Sequence, residues 1–242
     1  MSEGTLYVYA VIAAGDAGAM PARVVREGDL AALVADIQPG SVNAAKAVRE
    51  HWRVLEAAIE KATVLPLRFG TVMADDQAVR EDLLGANAEH LAGLLEELRG
   101  RVQVSVKGTY VEDGLMRGVV AGSPAVAALR ERLKGLPEDA GYFERVRLGE
   151  LVAAEVERHR EAEAAHALAA LDPHAVASRV EAASAPDAAF NLAFLVERDS
   201  LGAFDEAVGA LAEQLSSRVA VRGVGPLAAY SFADTELAAG AA

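Results

Sequence analysis

The chain contains no cysteine among its 242 residues. This absence excludes disulfides, thiolate metal ligands, cysteine nucleophiles and iron–sulfur clusters. The longest apolar run near the start, residues 6–14, is shorter than the roughly 20 residues of a membrane span. Glu3 stands where a signal peptide carries a basic residue. We therefore expect a soluble, cytoplasmic protein without a membrane partner.

Basic residues are also scarce. There are 23 Lys and Arg against 36 Asp and Glu, for a net charge of −13. Such a surface repels phosphate backbones and anionic membranes, so nucleic acid is not expected as a partner. Apolar residues make up 52% of the chain and charged residues 24%, which is typical of a globular protein with one large or two small domains. Disorder is expected only at 237–242.

The first half of the chain has the pattern of a mixed α/β domain. Both alternating faces of residues 6–12 are apolar, which predicts a strand covered on both sides. Apolar side chains at helical spacing predict an amphipathic helix over 43–62. Pro66 predicts that the run 64–69 is an edge strand or the start of a strand. Further elements are a hairpin with strands at 23–26 and 30–37, a break at Pro39-Gly40, and a helical stripe over 79–98 interrupted near Gly85.

The second half follows the order βαββαβ after a long insertion. The predicted elements are a half-buried strand at 102–107, an irregular stretch at 108–124, helices at 125–134 and 142–171, strands at 176–183 and 190–196 around a turn at 184–187, a helix capped by Ser200 that buries Phe204, Val208, Leu211 and Leu215, and a strand at 219–221 closed by Gly223 and Gly225. This order is that of a ferredoxin-like fold. We therefore predict an α+β protein with an N-terminal domain at 1–99, a ferredoxin-like domain at 100–224 and a tail at 225–242.

The long predicted helix carries the densest polar stripe, formed by Glu155, His159, Glu163 and His166. The two histidines lie about 10.5 Å apart along a helix axis and cannot share one ion. We interpret the stripe as a solvated helix face, and keep a metal-dependent enzyme as an alternative.

Other titratable residues favour structural roles. His51 beside Trp52 is interpreted as a packed histidine, and Asp75-Asp76 as acids at a helix N-terminus. The sequence has no His-Glu-x-x-His motif, no Walker loop and no G-x-S-x-G motif. We expect no catalytic, metal or cofactor-binding residue.

Two motifs remain. In the first, Arg68 stands in the apolar run 63–72, where it either pairs internally, the favoured interpretation, or is presented to a partner. In the second, Gly225-Pro226 follows the last strand and precedes Tyr230 and Phe232. Gly-Pro is expected to end the strand, and the aromatics to dock the segment 225–233 as a removable element, either on the body of the protein or on another protein.

These motifs resemble the gas vesicle protein F/L family (GvpF/GvpL). The matching segments are Leu6 to Val11, His51 with Val54-Leu55, Leu65 to Val72, Asn191 to Val196, and Gly225-Pro226-Leu227 with Tyr230-Ser231-Phe232. Two departures are Ala228-Ala229, where the family often has two prolines, and Gln103-Val104, near the place of a frequent glutamate.

The resemblance implies a two-domain accessory or minor structural protein of gas vesicle assembly, with a ferredoxin-like C-terminal domain and no enzymatic reaction or cofactor. Its implied partners are the major gas vesicle shell protein and other accessory proteins, and its place is in the cytoplasm with gas vesicles. The residues implied to be structural or partner-binding are Leu65, Pro66, Arg68, Phe69, Gly70, Gly225, Pro226, Tyr230 and Phe232. A small-ligand-binding regulatory module on a ferredoxin-like sheet is the alternative from a different class.

Overall fold

The computed structural model describes residues 5–37, 44–111, 114–134, 137, 141–183 and 185–233. Four sequence-based expectations fall on residues outside these ranges: the break at Pro39-Gly40, the helix start at Asn43, Ser184 of the turn, and disorder at 237–242.

The chain is an α+β protein that divides into two compact units. The first unit comprises Met1–Val104, Leu195–Arg198 and Gly225–Ala242, and the second comprises Ser105–Phe194 and Asp199–Val224. This division differs from the predicted boundaries at 99 and 224, because it assigns the predicted tail to the first unit.

The first sheet is organised around one central strand. Its strands are β1 (Leu6–Ala13), β2 (Arg23–Glu27), β3 (Leu30–Asp36), β4 (Leu65–Pro66) and β5 (Val72–Met73). The order is β2-β3-β1-β4, with β5 also paired to β1, and every pair is antiparallel. The prediction that the Pro66 strand lies at an edge is confirmed, although the strand is only two residues long.

Within the described residues, the first unit has three α- or π-helical segments besides a 3-10 turn at Ala14–Asp16. They are α1 (Ala44–Ile59), α2 (Asp76–Ala78) continued by a π-helical segment (Val79–Gly85), and α3 (Ala88–Glu97). The predicted interruption near Gly85 is confirmed. Asp75 caps α2 through its carboxylate, which accepts a hydrogen bond from the backbone N–H of Ala78 at 2.9 Å.

Both faces of β1 are buried, as the apolar run 6–12 predicts. One face packs Leu6, Val8 and Val11 with the leucines of the π-helical segment and α3. The other face packs residues of β1 against α1, including Val54 and Leu55. The sheet therefore lies between helices in the first unit, which explains why no polar alternation marks its central strand.

The second sheet has four strands: β6 (Arg101–Tyr110), β7 (Ala177–Val180), β8 (Ala188–Glu197) and β9 (Val219–Leu227). Their order is β7-β8-β6-β9. β6 and β8 run antiparallel. At one end of the pair, the backbone N–H of Tyr110 donates to the carbonyl of Asp187 at 2.8 Å, and at the other end, the backbone N–H of Arg198 donates to the carbonyl of Gly100 at 2.9 Å. The expectation that β6 is half-buried is wrong, because Gln103 and Ser105 are only 5% and 8% exposed.

Among the described residues, four α-helices belong to the second unit: α4 (Gly114–Gly122), α5 (Pro124–Leu133), α6 (Tyr142–Leu171) and α7 (Leu201–Leu215). The predicted bounds of α6 and the predicted buried face of α7 are confirmed. Ser200 precedes α7 as predicted, but its side chain makes no capping hydrogen bond.

The stretch 108–124 is not irregular, because it holds the end of β6 and all of α4. Its glycines permit close packing rather than turns. A β-carbon on Gly118 would lie 3.3 Å from Cε1 of His159, and one on Gly122 would lie 3.0 Å from Oε1 of Glu155. Glycine therefore lets α4 lie directly against α6.

The last strand does not end before Gly225-Pro226, as the sequence predicts, but continues through it to Leu227. β9 lies at the edge of the sheet, where a proline needs no partner for a missing N–H. Among the described residues, no helix combines the length and the apolar character needed to cross a membrane.

Candidate functional site

The loop after β4 is the centre of the candidate site, and it lies entirely in the first unit. Residues 65–67 are buried, and the chain then turns sharply. The carbonyl of Arg68 accepts hydrogen bonds from the backbone N–H of Thr71 at 3.1 Å and from its hydroxyl at 2.7 Å. Gly70 has a φ of 91°, which side-chain-bearing residues rarely adopt. The glycine of the motif is therefore required by the turn.

A chain of hydrogen bonds starts and ends on this loop. The Gly70 N–H donates to the Tyr7 hydroxyl at 3.1 Å, and the Tyr7 hydroxyl lies 2.8 Å from Nδ1 of His51. Nε2 of His51 contacts the Tyr230 hydroxyl, which in turn donates to the carbonyl of Leu67 at 3.2 Å. The loop is thus tied to β1, to α1 and to the C-terminal segment.

The direction of each hydrogen bond in this series follows from the bonds at its two ends. Since the Tyr230 hydrogen goes to a carbonyl, Tyr230 accepts from Nε2–H of His51. Nδ1 is then the acceptor, and Tyr7 donates to it. This assignment holds for the neutral imidazole that burial favours, with its hydrogen on Nε2.

The pKa shifts agree with a neutral chain. Burial lowers the pKa of His51, whose side chain is 1% exposed. Burial also raises the pKa of Tyr7, against a smaller opposing effect of its hydrogen bond from Gly70, and raises that of Tyr230. The cluster is therefore a structural clamp in which no member is poised to exchange a proton near neutral pH. The interpretation of His51 as a packed residue is confirmed.

Arg68 contradicts the favoured expectation of internal pairing. Its side chain is exposed, and within the described residues its guanidinium makes no hydrogen bond or ion pair. The physical reason is that the turn begins directly after Leu67, so that Arg68 does not continue the buried strand. The other alternative, presentation to a partner, remains.

Apolar side chains are exposed around the same clamp. Phe69 is 45% exposed and its ring lies 5.5 Å from that of His51. Trp52 is 41% exposed and its ring lies 5.5 Å from that of Tyr230. Val48, one turn before Trp52 on α1, and Val72, in the strand after the loop, are 38% and 52% exposed. We call Val48, Trp52, Phe69 and Val72 the Trp52–Phe69 face.

The C-terminal segment is part of the first unit's core, so the expectation of a removable element is not supported. Ala228 and Ala229 are each 4% exposed and belong to the two different hydrophobic clusters of that unit. Phe232 packs against the cluster that contains Ala229. The Ser231 N–H donates to Oε1 of Gln103 at 2.9 Å, which accounts for a polar side chain buried in β6.

The remaining residues of the Gly-Pro motif have a steric role. A β-carbon on Gly225 would lie 3.1 Å from the carbonyl oxygen of Gln103 and 3.2 Å from Cα of Val104. The peptide bond to Pro226 is cis, and Pro226 itself is exposed. The motif therefore brings the end of β9 close to β6 before the chain reaches Tyr230.

The polar stripe of α6 is not a uniformly solvated face. Glu163 is 8% exposed and accepts hydrogen bonds from Arg218 at 2.6 and 3.2 Å. Glu155 and His159 lie against the glycines of α4. Sequence periodicity places these residues on one face but cannot show that α4 and Arg218 cover part of it. Among the described residues, no group of three or more His, Asp and Glu side chains is arranged to hold a metal ion.

The second unit also contains a cleft of about 390 Å³ between α6 and the β7–β8 hairpin. Phe190, Leu168 and Val180 contribute apolar walls. Arg160 also lines the cleft, but its guanidinium is already bonded to the carbonyls of Pro186 and Ala188. The cleft therefore offers more apolar surface than free polar groups.

Sequence reasoning identified the loop and Tyr230 but missed Tyr7 and Trp52 as part of the same site. A signal for Tyr7 exists in the sequence, since it is one of two hydroxyl-bearing residues, with Tyr9, in an otherwise aliphatic strand. Trp52 is the sole tryptophan of the chain, at the margin of the apolar stripe of α1.

Comparisons with known proteins give one consistent family. The model described as "Gas vesicle synthesis protein GvpL/GvpF" matches residues 5–234. Gas vesicle protein F of Streptomyces sp. (strain CB03234) is 32% identical over 214 residues, covering 88% of each chain. Gas vesicle protein L of the same strain is 31% identical over 257 aligned positions, covering 94% of this chain and 92% of that protein.

The fold agrees with this result. The crystal structure of the gas vesicle protein GvpF from Anabaena sp. PCC7120 has a TM-score of 0.76 to this chain at 22% identity, and covers 95% of this chain and 98% of its own. That of GvpF from Microcystis aeruginosa has a TM-score of 0.74 at 23% identity, with the same coverage. From the match over nearly its whole length, the chain belongs to the GvpL/GvpF family of gas vesicle synthesis proteins.

Proposed function

We propose that the protein acts in gas vesicle assembly as an accessory or minor structural component that contacts the hydrophobic major shell protein and other accessory proteins. The observation that carries this proposal is the Trp52–Phe69 face, which leaves two aromatic side chains 41% and 45% exposed. Both rings lie against the buried His51, and exposed aromatic side chains grouped in this way favour a protein partner. The hydrogen-bonded clamp beneath them holds the loop in one conformation, which lowers the entropic cost of binding.

The motif residues then divide into two roles. Arg68 and Phe69 are the partner-binding members, because both side chains are exposed. The structural members are Leu65, Pro66, Gly70, Gly225, Pro226, Tyr230 and Phe232, which build the edge strand, the turn and the C-terminal segment behind it.

The second sheet belongs, in this proposal, to a ferredoxin-like domain. Its order β7-β8-β6-β9, with helices between β6 and β7 and between β8 and β9, supports that assignment. The proposal also places the protein in the cytoplasm with gas vesicles, without an enzymatic reaction, a cofactor, or a nucleic-acid or membrane partner. The net charge of −13 argues against a nucleic-acid or membrane partner.

Capture of the shell protein tests the proposal. The tagged protein is co-expressed with the major shell protein, and the amount of shell protein retained is measured for the wild type and for Trp52→Ser/Phe69→Ser. The matched control is Tyr142→Ser/Phe143→Ser, which removes two aromatics that are 66% and 82% exposed in the second unit. We expect capture to be lost only in the Trp52/Phe69 variant, with melting curves confirming that both variants fold. Undiminished capture by a folded Trp52/Phe69 variant contradicts the proposal.

A small-ligand-binding module is a second candidate, favoured by the cleft beside α6. Its volume of about 390 Å³ lies in the range of ligand pockets. This candidate predicts a higher melting temperature in the presence of a nucleotide or metabolite, and the loss of that increase on Leu168→Trp, which fills the cleft. A panel of such compounds that leaves the melting temperature unchanged removes its support.

A further inference from the structure

The arginines of the first unit show an uneven distribution of partners. Within the described residues, seven of its nine arginines are hydrogen-bonded or ion-paired: Arg23, Arg26, Arg53, Arg80, Arg99, Arg101 and Arg198. Arg49 and Arg68 are the two that have no such partner there, and both are exposed. Because neither guanidinium is neutralised by a neighbouring acid, both are available to a carboxylate of a partner.

Both unpaired arginines flank the Trp52–Phe69 face. Arg49 directly follows Val48 and precedes Trp52 by three residues, which is close to one helical turn of α1. Arg68 directly precedes Phe69. The nearest acid on α1 before Trp52, Glu50, is already paired with Arg53. Glu56, four residues after Trp52 on α1, is exposed.

Resting on the function proposed above, we propose that the Trp52–Phe69 face binds an amphipathic segment of the partner polypeptide that carries Asp or Glu carboxylates beside its apolar side chains. The exposed rings supply the apolar contact, and the guanidiniums of Arg49 and Arg68 take the carboxylates. Arginine suits this role because its planar donors pair with a carboxylate through two parallel hydrogen bonds. Trp and Arg side chains are also the types that dominate binding energy at protein interfaces.

The charges argue for a polypeptide rather than a phosphate-bearing surface. An anionic membrane or a nucleic acid presents many charges over a long range, and the excess of acids on this protein repels it. A few carboxylates within an apolar segment meet two local cations without that long-range penalty. The arginines thereby select among apolar partners as well as strengthening the contact.

The sole tryptophan makes the test direct, because Trp52 lies in the face itself. The probes are two synthetic amphipathic peptides of about 18 residues, one with Leu and Ala on one face and Glu at its margins, the other with Gln in place of every Glu. We expect the Glu peptide to shift Trp52 emission to shorter wavelength and to bind at least about tenfold more tightly than the Gln peptide. Arg49→Gln/Arg68→Gln removes that preference. The control Arg99→Gln/Arg132→Gln, with the same loss of charge at two other exposed arginines, keeps it.

Equal binding of the two peptides, or an unchanged preference in the Arg49/Arg68 variant, overturns the inference. An equal shift of Trp52 emission with phosphatidylglycerol vesicles overturns it in favour of a lipid surface. Shell-protein capture separates this failure from failure of the proposed function. Capture that is lost in the Trp52/Phe69 variant but kept in the Arg49/Arg68 variant retains the proposed function and rejects the inference, whereas capture kept in both rejects the two together.

Discussion

The hydroxyl of Tyr230 donates to the carbonyl oxygen of Leu67, 163 residues earlier in the sequence, at 3.2 Å. This bond decides the direction of the whole hydrogen-bond chain, because a carbonyl can only accept. It makes Tyr230 the acceptor for His51, and thereby His51 the acceptor for Tyr7. One hydroxyl group thus joins the exposed loop to α1 and to the C-terminal segment.

We expect Tyr230→Phe to lower the free energy of unfolding by about 1–3 kcal/mol, because it leaves the buried Nε2–H of His51 without an acceptor. Urea unfolding followed by circular dichroism measures the change. The control is Tyr142→Phe, at a residue that is 66% exposed, which should change stability by less than about 0.5 kcal/mol. Equal effects of the two substitutions would argue against the clamp.

Stability should fall as the pH drops below about 6.5. Burial holds the pKa of His51 below its ordinary value of 6.5 in the folded protein. The unfolded chain therefore takes up a proton on His51 at pH values where the folded chain does not, and the free energy of unfolding decreases with falling pH. Above the pKa of His51 in the unfolded chain, its side chain is neutral in both states and does not change the free energy of unfolding with pH. Urea unfolding between about pH 5 and 8 should show a shallower dependence for His51→Gln than for the wild type; identical slopes would refute the assignment.

Truncation after Val224 should strongly destabilise the first unit. The deletion removes Ala228 and Ala229 from its two hydrophobic clusters and removes two aromatic side chains, each contributing on the order of 1.5–3 kcal/mol. That loss is a large part of a typical total stability of about 5–15 kcal/mol. Near-ultraviolet circular dichroism and a melting curve measure it, with a chain ending at Ala233 as the control. A truncated protein with the same melting temperature as that control would show that the segment after Val224 is a removable element.

Two glycine substitutions should have opposite effects. Gly108→Ala places a β-carbon 2.5 Å from Cε1 of the buried Phe190 ring, which costs about 1–3 kcal/mol through overpacking. Gly149→Ala meets no atom within 4 Å and lies inside α6, so it should raise stability by about 0.5–1 kcal/mol. Melting temperatures of the two variants give the signs; a neutral Gly108→Ala would mean that the β6–β8 packing is looser than described.

Regular spacing of apolar residues was enough to predict the buried face of α7, and an apolar run without polar alternation was enough to predict the double burial of β1. These features depend on neighbours within one or two turns of the chain. The exposure of Arg68 was not predictable in the same way, because its place in an apolar run suggests burial and only the turn at Gly70 reverses it. Nor could periodicity reveal α4, whose glycines are explained by His159, a residue on another helix.

The candidate site shows the same limit more clearly. Sequence reasoning found its loop and its tyrosine as separate motifs, each with its own expected role. Their union depends on contacts such as that between His51 and Tyr230, which are 179 residues apart. A pattern in one sequence carries no information on such a pairing, since neither residue's local neighbourhood specifies the other.

The order of synthesis adds a consequence to the discontinuous first unit. During translation, at about 5–20 residues per second, the 179 residues between His51 and Tyr230 take about 9–36 s to emerge. Through that interval the nascent chain holds β1 and α1 without Ala228, Ala229 and Tyr230 to complete their packing. The second unit's helices and strands are made in between. The first unit, and with it the buried support of the Trp52–Phe69 face, can therefore complete its packing only after every residue of the second unit has been synthesised.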